Sequence, residues 1–158
     1  MSLYDDYINS VAKKHFIDFL ARKGAPGHAF ISVRVSLRED FEIVLAIFGL
    51  YPDGEKKLAA IKSIFSPVSG QITFKFDDMA WDTSYIVKLT DDQAEAVLQK
   101  LNEWKAETPK YSLFANNGLN CNALVGEVAK LMSLKVPTTA GSSFPWIFID
   151  ELQAVQGK

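Results

Sequence analysis

The chain of 158 residues holds one cysteine, Cys121, which lies where a polar loop gives way to a helical apolar pattern. Asn120 is a favoured N-cap residue, so Cys121 is predicted to be the first residue of a helix. The N–H groups and the dipole at such a helix end favour a thiolate and can lower a cysteine pKa into the range of about 3.5 to 7.5. The alternative is a small buried side chain, because free cysteine is among the most often buried residue types. Cys121 is therefore the candidate nucleophile.

A nucleophilic cysteine needs a base, which is usually histidine, and the chain offers two. His15 lies within a predicted helix beside basic neighbours, where we expect no chemistry. His28 follows Pro26 and Gly27 and opens a predicted strand, whose end could meet a helix N-terminus at the edge of the sheet. His28 is therefore the candidate base, and a polar strand-end residue in contact with water is the alternative interpretation.

A third group commonly orients the imidazole by accepting a hydrogen bond from its second nitrogen. If the hairpin that His28 begins turns near Arg38, His28 lies opposite the stretch that ends at Tyr51. The polar groups available there are Tyr51, Asp53 and backbone carbonyls. Asp53 is the candidate orienting residue, although a Pro-Asp-Gly sequence is also typical of a turn.

The remaining pattern predicts an α+β fold with an antiparallel sheet packed against helices, in one domain over residues 1–158. It divides into an N-terminal helix within 1–24, a core over 27–137 and a C-terminal tail over 138–158 that packs back on the core. The predicted elements are a helix over 3–22, a hairpin of strands over 28–36 and 41–50, strands over 71–76 and 84–89, helices over 90–106 and from 121, and a short helix or strand over 144–149.

Composition limits the classes of partner. The chain is 48% apolar and 23% charged, with a formal net charge of −2, so no electrostatic site for nucleic acid is expected. No run reaches the roughly 18 apolar residues of a membrane span, and no cofactor or metal is predicted. A lone cysteine and the absence of signal-peptide features predict a cytoplasmic chain as synthesised. Export by a route without a cleavable signal peptide is an alternative.

Several segments together resemble the circularly permuted papain-like cysteine hydrolases of the NlpC type, with histidine first and cysteine last. Family members often place the cysteine directly after an Asn-Asn pair, whereas here residues 118–120 intervene. The segments that carry the resemblance are Gly27–Ile31, Phe48–Pro52, Thr90–Trp104, Tyr111–Phe114, Asn116–Asn117, Asn120–Val125 and Pro137.

The resemblance implies a bacterial thiol hydrolase in which Cys121 attacks a carbonyl and His28 transfers the proton. It implies an acyl-enzyme, a peptide or acyl substrate, and a backbone N–H that holds the oxyanion. The first expectation is cleavage of an amide bond, with peptidoglycan peptide as the substrate. The alternatives are a lipid-directed acyltransferase or esterase of the same fold and a catalytically silent binding or interaction domain.

Overall fold

A five-stranded antiparallel sheet, in the order β4-β3-β2-β1-β5, is the centre of the α+β fold. The computed structural model describes residues 14–24, 27–38, 41–53, 62–64, 66–73 and 80–157. The strands are β1 (Lys14–Arg22), β2 (His28–Arg38), β3 (Phe41–Pro52), β4 (Gly70–Thr73) and β5 (Thr83–Leu89), and the helices are α1 (Asp91–Ala106), α2 (Cys121–Leu131) and α3 (Pro145–Gln156).

The two faces of the sheet carry different clusters. Helix α2 packs against β2 and β3, while α3 packs against β1, β2 and β5. Alternate strand residues, such as Phe19, Ile31 and Phe48, point into this helix-covered core. Residues of the other parity form a small cluster on the opposite face, made of Leu20, Phe30 and Ile47.

The hairpin predicted for residues 28–36 and 41–50 is confirmed. Strands β2 and β3 pair in antiparallel register from Arg38 opposite Phe41 to Ile31 opposite Phe48. Beyond Phe48, β3 pairs instead with β4, from Gly49 opposite Thr73 onward. The two strands of the hairpin therefore stop pairing just before its open end, where His28 lies.

The predicted N-terminal helix is wrong for residues 14–22, which form strand β1. The remainder of that prediction, up to residue 13, lies outside the described residues. Strand β1 pairs with β2 on one side and β5 on the other, so it is a central strand. Both of its faces are buried at residues 17–21, and this removes the apolar-polar alternation by which a strand is recognised.

The helix boundaries follow their sequence signals. Thr90 forms the predicted capping box with Gln93 at the start of α1. Asn120 caps α2, so Cys121 is its first residue as predicted. The segment predicted as a short helix or strand is the 12-residue helix α3, with Pro145 in its first turn, where a missing N–H costs no helical hydrogen bond.

Strand β4 covers the first part of the strand predicted for residues 71–76, and residues 74–76 lie outside the described residues. Among the helices of the described segments, none combines the length and the apolar character needed to cross a membrane.

Candidate active site

Asn120 connects the N-terminus of α2 to the loops on either side of it. Its Oδ1 accepts a hydrogen bond of 2.8 Å from the Ala123 N–H, which is the capping bond. Its Nδ2 donates to the carbonyl oxygens of Leu113, at 3.0 Å, and Ala140, at 2.7 Å. Because one buried amide makes all three bonds, it fixes the position of Cys121 relative to both loops.

Asn122, on the other side of Cys121, makes a second connection to the later loop. Its Nδ2 donates to the carbonyl oxygen of Ser143 at 2.9 Å and to that of Ala140 at 3.3 Å. Rotating this amide by 180° would turn its oxygen toward two acceptors, so the orientation of Nδ2 is fixed. The cysteine thus lies between two asparagines that are both anchored to carbonyl groups.

Burial raises the pKa of the Cys121 thiol, opposed by backbone hydrogen bonds from Ala29, Asn122 and Cys121 itself. A backbone N–H favours the charged form of a thiol, so these groups act against the effect of burial. The helix N-terminus can lower a cysteine pKa, but here desolvation outweighs the N–H groups. The resting group at neutral pH is the neutral thiol.

Tyr111, on the loop before α2, is a titrating neighbour of the thiol. Its side chain is buried, and its backbone pairs with Val68 and Leu119. Burial, followed by the neighbouring Cys121, raises the pKa of the Tyr111 phenol. The phenol therefore stays protonated at physiological pH and adds a donor to the surroundings of the thiol.

His28 lies in an aromatic cluster with only 6% of its surface exposed. Its ring stacks on Tyr51 with the centroids 3.9 Å apart and on Phe30 at 5.8 Å. Arg22, opposite His28 in the register of β1 and β2, donates from Nη2 to the Tyr51 hydroxyl at 3.0 Å. The Arg22 guanidinium also lies 5.5 Å from the centroid of the Phe30 ring. These contacts fix the imidazole plane.

Cys121 and His28 approach the same part of the sheet from opposite faces. The thiol belongs to the helix-covered core, whereas the imidazole shares the parity of Phe30 and lies on the other face. Residue Ala29, whose N–H interacts with the thiol, directly follows His28. A Cβ on Gly49 would lie 2.5 Å from His28 Nε2, so the imidazole covers β3 where β2 and β3 part.

Asp53 lies at the end of β3 with an exposed side chain, and its backbone N–H donates to the Ser69 carbonyl at 2.8 Å. Its role as the orienting group remains a prediction. The residue that sequence reasoning missed is Arg22, because the segment around it was interpreted as a helix. Had this segment been interpreted as a strand that pairs with β2, Arg22 would have been predicted to lie near the start of β2.

The comparisons with known proteins add no identification. No protein-family model, curated protein or solved structure matches this chain. A proposal of function therefore depends on the local contacts of Cys121 and His28 and on the residue patterns described above.

Proposed function

We propose that the chain is a thiol hydrolase that cleaves an amide bond, with Cys121 as the nucleophile and His28 as the general base. One observation carries the proposal: Cys121 begins helix α2, which packs against β2 and β3, the two strands whose open end holds His28. A thiol and an imidazole that both lie near this end of the hairpin fit the roles of nucleophile and general base. The finer, permuted papain-like architecture belongs to the same proposal.

The raised thiol pKa determines the order of the steps. The Cys121 sulfur attacks the carbonyl carbon as its proton passes to the imidazole, because a stable thiolate is not present beforehand. The N–H groups of Cys121 and Asn122 stabilise the oxyanion. The C–N bond then breaks, and the amine leaves with the proton from the imidazolium. Water hydrolyses the thioester, which releases the carboxylate and restores the thiol.

The imidazole must leave its stack on Tyr51 to reach the sulfur. Gly49 leaves room for the resting position of the ring, because a Cβ there would lie 2.5 Å from Nε2. Because the backbone sets the face to which a strand side chain points, side-chain torsions alone do not bring the imidazole to the thiol. The proposal therefore also requires the first residues of β2, at the open end of the hairpin, to turn.

The test compares Cys121→Ala, His28→Ala and the matched control His15→Ala on peptidoglycan fragments and on phospholipid vesicles. Cys121→Ala should abolish amide cleavage, and His28→Ala should lower kcat/KM by roughly 100-fold or more, the usual contribution of a general base. His15→Ala should behave as wild type, since His15 lies opposite Val35 at the far end of the sheet. Turnover that survives Cys121→Ala, or equal effects of the two histidine variants, would refute the proposal.

A second candidate, a catalytically silent binding domain, is favoured by a different observation. The imidazole is buried in an aromatic stack on the face away from the thiol, and the thiol pKa is raised. Such a domain would react with iodoacetamide at Cys121 only after unfolding. Measuring the alkylation rate in buffer and in urea at pH 8 distinguishes the two, because the hydrolase requires reaction of the folded protein.

A further inference from the structure

Two loops beside the N-terminus of α2 present aromatic side chains to solvent. Phe114, in the loop before the helix, is 52% exposed, and Phe144, in the loop that leads to α3, is 51% exposed. Phe144 stacks on Trp146 with ring centroids 4.7 Å apart and an interplanar angle of 11°. We refer to Phe114, Phe144 and Trp146 as the aromatic lip.

The lip is held against both parts of the proposed site. Asn120, next to the nucleophile, donates to one carbonyl in each loop. The two loops also touch each other, since a Cβ on Gly141 would collide with the carbonyl oxygen of Phe114. At the other end, Trp146 lies 3.1 Å from the position of a Cβ on Gly27, the residue before His28. The lip therefore extends from the loop before Cys121 to the start of β2.

The chain around the lip carries no charged side chain over residues 111–126 and 136–149. Glu151 of α3 lies next to the later loop, but its Oε2 accepts hydrogen bonds from the hydroxyls of Thr139 and Ser143. Arg22, near His28, donates to Tyr51 and lies over the Phe30 ring, on the face of the sheet opposite helices α2 and α3. A charged substrate group placed on the lip would lose water without gaining a counter-ion from these loops, whereas an apolar group would gain by burial.

We propose that the aromatic lip binds the acyl side of the substrate and that this acyl group is uncharged and apolar. The inference rests on the proposed thiol hydrolase and names its substrate class. The lip receives the group bonded to the scissile carbonyl, and that group stays on the enzyme as the thioester while the amine departs. An apolar amino acid and a fatty acyl chain both supply this chemistry.

The experiment uses the full chain and p-nitroanilides with acetyl, butanoyl, hexanoyl and octanoyl groups. For wild type, kcat/KM should rise about two- to fourfold with each added methylene, the upper figure being that of complete burial. Phe114→Ala and Phe144→Ala should flatten this rise. Phe41→Ala is the matched control, because Phe41 is 53% exposed in the half of β3 away from Gly49.

Two further substrate comparisons define the class of acyl group. An adipyl anilide, which places a carboxylate at the end of a six-carbon chain, should react at least tenfold more slowly than the hexanoyl anilide. N-acetyl-leucine and N-acetyl-glutamate anilides repeat the comparison with amino acids and show which apolar source is preferred.

The inference about the lip is overturned, and the proposed hydrolase is not, if turnover depends on Cys121 but not on the length of the acyl chain. Equal rates for the charged and uncharged acyl groups have the same consequence. If wild type and Cys121→Ala are equally inactive on every anilide, the hydrolase itself fails and the inference fails with it. Equal slopes for Phe41→Ala and Phe114→Ala would also overturn the role of the lip.

Discussion

Gly49 is the position at which the packing of His28 can be tested most directly. In Gly49→Ala the new Cβ would lie 2.5 Å from His28 Nε2, 3.0 Å from its Cε1 and 3.1 Å from the Phe30 Cβ. Ordinary carbon contacts are about 3.5–4.0 Å, so the imidazole must move. Its ring has little freedom to do so, because it is nearly buried and stacks on Tyr51.

The expected cost combines three effects. Overpacking of a filled site costs about 1–3 kcal/mol, and loss of the aromatic stack about 0.5–1.5 kcal/mol. Replacing a strand glycine returns about 0.5–1 kcal/mol, because glycine loses more backbone entropy on folding. Gly49→Ala should therefore lower the free energy of unfolding by about 1–3.5 kcal/mol, measured by urea denaturation with an unchanged m-value.

A double-mutant cycle with His28→Ala isolates the cause. Once the imidazole is removed, the Phe30 Cβ at 3.1 Å is the remaining close contact, and Gly49→Ala should cost less than about 1 kcal/mol. Gly157→Ala serves as a neutral control, because a Cβ there meets nothing closer than 3.8 Å. An equal cost of Gly49→Ala with and without His28 would refute the assigned contact.

Three other predictions concern the thiol, the cap and a buried ion pair. Because the folded-state pKa of Cys121 is raised, the thiol ionises first in the unfolded chain, so the free energy of unfolding should fall as pH rises above about 8.5. In urea titrations between about pH 7 and 9.5, Cys121→Ser should show a smaller fall than wild type. An identical fall in both proteins would refute this linkage to the thiol. Asn120→Ala should cost about 2–4 kcal/mol, because it removes the helix cap and leaves two loop carbonyls without their donor, and a thermal shift below 2 °C would contradict this. Arg34 donates to buried Asp18 at 2.6 and 2.8 Å and to exposed Glu42 at 2.8 Å. Arg34→Met should therefore cost about 3–5 kcal/mol by leaving the Asp18 charge uncompensated, while Glu42→Gln should cost at most about 1 kcal/mol in the same urea assay.

Elements with strong local signals were predictable from the sequence. The hairpin from His28 to Leu50 has β-branched strands on both sides of a polar turn, and the structure has both strands. The capping residues Thr90 and Asn120 mark the starts of two helices correctly, because their side chains accept the backbone N–H groups that a helix start leaves free. Such signals depend on a few neighbouring residues and need no knowledge of the tertiary fold.

Strand β1 was not predictable in the same way. Its residues Phe16, Phe19 and Leu20 are spaced as on one face of a helix, but the structure divides them between the two faces of the sheet. Asp18 lies within this strand and is buried, which its ion pair with Arg34 makes tolerable. The partner that stabilises Asp18 is 16 residues away, so no local pattern could reveal it.

The positions of the site residues show which part of a site a strand pattern can predict. The sequence placed His28 opposite the stretch ending at Tyr51, and the contacts with Gly49 and Tyr51 bear this out. The strand pattern also indicated the face of the sheet on which His28 lies, because His28 shares the parity of Ser32 and Arg34, while Ile31 has the parity of the core. The position of His28 along β2 thus brings the imidazole to the open end of the hairpin, but its parity directs the side chain to the face away from the thiol. For a hydrolase built on this pair, a movement of the start of β2 that brings His28 to the thiol is therefore a required step, and its rate sets an upper limit on turnover.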